Sequence, residues 1–276
     1  MHQPPRFDGV GRVPRGPFAP TLLILALGIL VGALKGAAED AFDRTHSQFQ
    51  RVLNDAASQA GVDYARLKSA PDLLNTYLGE IASLDAKSFS TWDRWDRMAL
   101  LINLYNATTL RVIRDHYPVR SIRSIGILPG AAWREPEVRF AGQSMSLDHL
   151  EHKILRPDYG EPRVHFALVC AARGCPPLRL EPYRGKELDQ QLDDQARKFL
   201  AQSDKNRFDP KTGVLWLSPI FKWYGKDFSP SEEGLAAYVR PFLASSTRSN
   251  LEGAGTVRIE FTDYNWDLND TSLGTR

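Results

Sequence analysis

What the chain has little of narrows its class first. Charge of one sign is missing: the formal net charge is +2, with basic and acidic residues interspersed. No polybasic field therefore points to nucleic acid or to an anionic membrane surface. No G-x-S-x-G elbow occurs, which removes the main sequence signal for a serine triad. Cysteine is scarce, with only Cys170 and Cys175 in 276 residues. Their C-x4-C spacing is not the close pair of a zinc knuckle, and His149 and His152 fall on the polar face of a helix, so no metal site and no cofactor are expected. What is present, 42% hydrophobic content over 276 residues, is enough to bury a proper core.

The N-terminus reads as an address. Arg6, Arg12 and Arg15 precede an apolar run from Thr21 to Leu34, and Gly36, Ala37 and Ala38 are small residues where a signal peptidase could cut. The run is shorter than the roughly 20 residues of a spanning helix. The expectation is a signal peptide over 1–38 cleaved after Ala38, with an uncleaved anchor as the alternative once Phe18 and Ala19 are added. The mature chain is then secreted or periplasmic, and any membrane contact runs through this segment alone.

From Glu39 to Thr91 the spacing predicts a helical segment: one helix carrying Phe42, Phe49, Val52 and Leu53 and ending at Gly61, another from Pro71 to Leu84. The longest element is expected from Trp92 to about His116, where Pro118 forbids continuation. It is apolar almost all round from Met98 to Ile113, yet it contains Asn103 and Asn106. Buried amides must be hydrogen-bonded, so these two either tie down backbone or line a polar pocket. Tyr105 falls on a different face and reads as packing.

A short strand or hairpin is expected at Val138 to Gly142, then a helix from Ser146 to Leu155 stopped by Pro157. Leu147, Leu150, Ile154 and Leu155 make its apolar stripe, and Glu151 lies within that stripe, with His149 and His152 turned away. A carboxylate there is costly unless it is paired, for instance with Arg163, or does work.

The stretch RVHFALVCAARGCPP, Arg163 to Pro177, holds a histidine and both cysteines. Val164 to Cys170 reads as a buried strand with His165 and Cys170 on opposite faces, while Cys175 follows Gly174 in a loop able to turn toward either. Cys175 is thus the thiol expected to meet His165. In an oxidising compartment the same two cysteines could form a Cys170–Cys175 disulfide. The remainder gives a helix over Tyr183 to Leu200, a strand at Val214 to Leu217, an aromatic patch at Ile220 to Trp223, a helix from Pro230 to Leu243, a strand at Val257 to Phe261 and a closing segment Asn265 to Asn269. With no repeat and no linker after Glu39, the expected fold class is α+β, a single mature domain with more helix than strand.

Five segments, LLINLYNATTLRVI, SLDHLEHKILRP, RVHFALVCAARGCPPL, SPIFKWYGKDF and YNWDLN, resemble successive signatures of domain-of-unknown-function family 547. The resemblance runs over roughly 92–269 within a domain expected at 92–276. It implies a papain-like or transglutaminase-like thiol fold and highlights Asn103, Asn106, Glu151, His165, Cys170, Cys175 and Pro176. At the end the family tends to have Asp where this chain has Asn265. Residues and resemblance meet on Cys175 as nucleophile, His165 as base and Glu151 as orienter, with Asn103 or Asn106 binding an oxyanion or holding the histidine. The function expected is a cysteine-dependent amide hydrolase or acyl transferase acting on a peptide or other acyl substrate. The alternative is a non-catalytic exported binding domain whose two cysteines are joined.

Overall fold

The computed structural model describes residues 42–128, 130–254 and 257–272, all within the unit Asp40–Arg276. The expected signal segment 1–38 lies outside the described residues. Among those described, no helix is long and apolar enough to cross a membrane.

The helix Arg94–His116 is the centre of the larger of two apolar clusters. Asp93 caps it by accepting the Trp95 N–H at 2.8 Å, satisfying one of the orphan donors of the first turn. Met98 through Leu110 are all buried, which explains why the sequence shows no polar face there. The helices Tyr64–Ser69 and Asp72–Ala82 pack against it. The first expected helix is shorter than its apolar spacing suggests. It spans Ser47–Ala56, after which Ala57–Ser58 turns back on Gly61–Val62. Gly61 sits at φ 142°, and a Cβ there would collide with the Asn269 carbonyl, so this turn doubles as a seat for the C-terminal segment.

The smaller cluster forms around a three-stranded sheet. Val214–Leu217 runs antiparallel to Arg207–Asp209 and parallel to Arg258–Phe261. The helix Leu188–Leu200 serves both clusters: Leu188 and Leu192 belong to the larger, Ala196, Phe199 and Leu200 to the smaller. Phe199 is fully buried, a burial that stabilises by about 1.5–3 kcal/mol relative to exposure. A hairpin pairs Val138–Phe140 with Gln143–Met145, as expected from the alternation. The fold is α+β, with small sheets among many helices.

Two local expectations are corrected. Val164–Ala167 is a helical turn and not a strand, with extended backbone only from Leu168 onward. A run that is apolar on every side carries no period, so burial alone cannot choose between the two. The second correction is at Pro157, which does not stop the Ser146 helix. The segment continues through a π-helical stretch, Leu150–Leu155, into Arg156–Tyr159, and closes at Gly160 with φ 57°. The Arg156 N–H reaches the Glu151 carbonyl, a wider turn that shifts the carbonyl a proline ring would otherwise meet.

Candidate active site

Between the two clusters lies a cavity of about 310 Å³, lined among others by Tyr105, Glu151, His165, Cys170, Cys175 and Tyr224. Val164–Ala167 straddles the seam beside it. Val164 and Ala167 pack into the larger cluster and Phe166 into the smaller, so the turn delivers His165 to the boundary, where it is 4% exposed.

His165 meets Asp227, not Glu151. Its Nε2 lies 2.7 Å from Asp227 Oδ2, and since an ionised carboxylate can only accept, Nε2 carries the proton and Nδ1 keeps its lone pair. Asp227 is fixed in turn by Arg156, whose Nε and Nη2 donate to the two carboxylate oxygens at 2.7 and 3.0 Å. Arg156 first, then burial and the histidine, set the Asp227 carboxyl, which is held down at about 2. The imidazole stacks on Tyr224 with centroids 3.9 Å apart. Burial lowers the His165 pKa, and the Asp227 bond and the charges of Glu151 and Asp227 pull it partly back. The surroundings favour the neutral ring while Asp227 gives its Nε2 proton an acceptor.

Glu151 is buried as its place on the stripe requires, at 7% exposure. It bonds neither Arg163 nor His165. Tyr105 Oη donates to its Oε2 at 3.0 Å, and Tyr224 is a second hydroxyl partner. Arg163 is committed elsewhere, to Glu161, Asp189 and Asp193. Tyr105, expected as packing, is therefore part of the polar wall. Burial and the adjacent Glu151 charge push its hydroxyl well above the usual range. His152 was expected on the far face with His149, yet it lines the cavity while His149 is exposed. The π turn is the physical reason, because it rotates the side chains away from a 3.6-residue register.

The two cysteines meet, and Cys170, expected on the face opposite His165, lines the same cavity as His165 and Cys175. Cys170 Sγ and Cys175 Sγ are 2.7 Å apart, inside van der Waals contact, as two free thiols. The Cys170 backbone N–H donates to Cys175 Sγ at 2.9 Å. Tyr264 Oη lies 3.1 Å from Cys170 Sγ. Burial alone would raise the Cys175 pKa, but donors from the Cys170 thiol, the Tyr264 hydroxyl and the backbone of Cys170 and Ala172 outweigh it and bring the thiol below its usual value. Cys170 moves the opposite way, well up, because its proton is held by Cys175 and it is buried beside that charge. Of the two, Cys175 is the thiol whose ionised form the surroundings favour.

The loop is stapled by the C-terminal segment. Gly174 N–H donates to the Asn265 carbonyl at 2.8 Å and Arg173 N–H to that of Asp267 at 2.8 Å. A Cβ on Gly174 would lie 2.9 Å from the Asn265 nitrogen, too close for any side chain. Asn265 itself uses Oδ1 to accept the Asp267 N–H at 2.8 Å. Asn265 thus closes a local turn.

Asn103 and Asn106 do not line the cavity. Asn103 donates to the Tyr183 carbonyl at 2.8 Å and accepts its N–H at 2.9 Å. Asn106 does the same across Ala167 O and Val169 N, at 2.9 and 3.0 Å. Both amides act as missing rungs of a ladder for chain that has no strand partner. Neither residue is among those lining the cavity, and both carry backbone bonds instead. Asp227, Arg156, Tyr224 and Tyr264 are what the residue reading missed, although the SPIFKWYGKDF and YNWDLN segments contain three of them.

Residues 89–200 match the model of a family described as a protein of unknown function, DUF547. Over that segment the resemblance seen in the sequence holds. The DUF547 segment carries the central helix, Glu151, His165 and both cysteines, while Asp227, Tyr224 and Tyr264 come from chain beyond it. No curated protein and no solved structure matches the chain, and the papain-like or transglutaminase-like expectation gains nothing from them.

Proposed function

We propose that this cavity catalyses acyl transfer from an amide, to water or to a second nucleophile, with Cys175 as nucleophile and His165 as base. The observation that carries the reading is that one cavity is lined by both a thiol surrounded by donors and a buried histidine whose Nε2 is held by Asp227. His165, whose Nε2 proton is held by Asp227, takes the Cys175 thiol proton, and the thiolate so formed attacks the amide carbonyl to give a tetrahedral intermediate. The imidazolium of His165 gives its proton to the departing amine, leaving a thioester. Water or an amine, deprotonated by His165, then attacks that thioester and frees Cys175. Asp227 takes the orienting place first assigned to Glu151, because an imidazolium needs a carboxylate in contact and Asp227 is the one that has it.

The Cys170–Cys175 contact supports a second reading, a binding domain in which the two sulfurs are joined. Limiting iodoacetamide followed by peptide mapping separates the two. Acyl transfer requires Cys175 to label several-fold faster than Cys170 at neutral pH, and Cys175→Ser to abolish turnover while leaving the fold intact. Equal labelling, or no free thiol in the native protein without reductant, supports the binding domain. Export belongs to the proposal as well. The N-terminal sequence of the protein recovered from its natural source tests it, with a start at Glu39 expected.

A further inference from the structure

Glu151 lacks the partner that a buried carboxylate ordinarily has. Its hydrogen-bond partners are hydroxyls, from Tyr105 at 3.0 Å and from Tyr224. His152 Nδ1 lies 3.8 Å from Oε1, but that nitrogen is 2.8 Å from Arg156 Nη1. A guanidinium can only donate, so His152 Nδ1 accepts and cannot also present a proton to Glu151. Arg156 spends two bonds on Asp227 and a third on His152, and it supports Glu151 only through its nearby charge, with no hydrogen bond between them. No lysine lines the cavity among the described residues, and Arg134 is its one arginine, while Asp148 adds a second carboxylate. A carboxylate 93% removed from solvent, bonded only by phenols and with no cation in hydrogen-bond contact, is a costly arrangement unless a cation completes it.

The same cavity also has the chemistry that cations favour. Trp223, Tyr264 and Trp266 form one aromatic group with centroids 4.5 to 5.8 Å apart, and Trp133 meets Trp266 edge-on at 6.3 Å. All four line the cavity. The faces of such rings attract ammonium and guanidinium groups, and Trp266 already holds Arg123 at 4.9 Å. Trp223 is 49% exposed, so this aromatic group reaches solvent.

We propose that the substrate of this cavity carries a primary ammonium group, received between the aromatic wall of Trp133, Trp223 and Trp266 and the carboxylate of Glu151. This deepens the acyl-transfer reading and rests on it only for calling the ligand a substrate. Glu151 is then the residue that selects an amine-bearing amide, and Asp227 the one that serves His165. A neutral or acidic group of the same length meets the same aromatic faces but leaves Glu151 unpaired or repelled.

The test is a binding measurement that does not depend on the thiol. Three of the six tryptophans line the cavity, so intrinsic fluorescence reports occupancy. The full chain is titrated with pentylammonium, pentan-1-ol and pentanoate at neutral pH. The amine is expected to bind at least about tenfold more tightly than the alcohol, with no saturable response to pentanoate, since a charge-assisted contact replaces a neutral one. Glu151→Gln should bring amine and alcohol to within about threefold of each other. If that variant fails to fold, Trp223→Leu keeps apolar bulk and removes the π face, and should weaken the amine more than the alcohol. Equal affinities for amine and alcohol in the unaltered protein overturn the inference, as does an amine preference that survives whichever of these variants folds. An inert Cys175 with the amine preference intact would remove acyl transfer and leave the ammonium site standing. A reactive Cys175 without the preference would do the reverse.

Discussion

Two histidines in this molecule are buried alike and equipped differently. His46, beside the first helix, is 2% exposed and His165, on the cavity seam, is 4% exposed. Burial lowers the pKa of both. His46 has a phenol for its ring nitrogen, Tyr77 Oη at 2.9 Å, and aromatic neighbours in Phe42 and Tyr77. A hydroxyl can donate to a neutral ring and gives little to a charged one, so His46 is a hydrogen-bonded core side chain. His165 has a carboxylate, itself locked by an arginine, and a face on a cavity. The comparison teaches that burial does not mark a functional histidine. The partner does, because it decides whether the protonated form has somewhere to exist.

The largest expected effect tests that distinction directly. His165→Gln should lower turnover of an amide substrate by about 10²- to 10⁴-fold, the usual range for removing a general base, while His46→Gln leaves turnover and Cys175 labelling unchanged. Steady-state kinetics on the two variants make the measurement, and equal losses would erase the contrast between them.

Next in size is the acid dependence of stability, where His46 should dominate. Its folded pKa is about 4 against 6.5 for the free side chain, because burial disfavours the charge more than the nearby Asp43 carboxylate favours it. The unfolded chain therefore binds the proton first as pH falls. The stability contributed is whole above pH 6.5 and declines through the interval down to about 4, by roughly 3 kcal/mol. His165 adds to the same trend. Carboxylates such as Asp194 and Asp227, whose folded pKa values are depressed, lose their contribution in a lower window, below 3.8. Urea unfolding at several pH values should show the slope, and His46→Gln should flatten most of it. An unchanged slope would mean that the core histidine is not the neutral one.

How much of this was written in the sequence follows the range of the interactions. Helical periodicity around 94–116 showed that Asn103 and Asn106 are buried, and a buried amide has little to do except bond backbone. The apolar stripe of the Ser146 segment likewise put Glu151 inside. What did not show was the partner. Asp227 lies 62 residues from His165 in a segment whose local pattern is aromatic, and only the docking of the smaller cluster on the larger brings the two together. Glu151 was the acid with an unexplained burial, so it was given the histidine. The strand expected at 164–170 failed for a related reason: apolar on all sides, it offered no period, and the extended part from Leu168 has Asn106 where a neighbouring strand would be. The π turn at 150–155 was also invisible, since nothing in residue type announces it, and it moved His152 from solvent to the cavity.

The smallest effect is also the one that sharpens the comparison most. Asp227→Asn keeps the shape of the side chain and removes its charge, making the surroundings of His165 more like those of His46. Asp227 supports the protonated ring through its bond and its charge, so without it burial acts less opposed and the His165 pKa falls further. The neutral ring then persists to lower pH, and the acid limb of the kcat/KM profile should move to lower pH, not higher. The base is weaker and the ring less firmly aimed, so the plateau should drop by roughly 10- to 100-fold. Asp227→Glu, which restores the charge at a slightly different reach, should recover part of the plateau and return the limb toward its original position. Arg156 loses a partner in the Asn variant, so some loss of stability is expected whatever the role of Asp227. The movement of the limb is what a merely structural carboxylate would not produce. A plateau that falls with no shift of the limb would leave Asp227 as a tether for Arg156, and His165 would then have no better claim to a proton than His46.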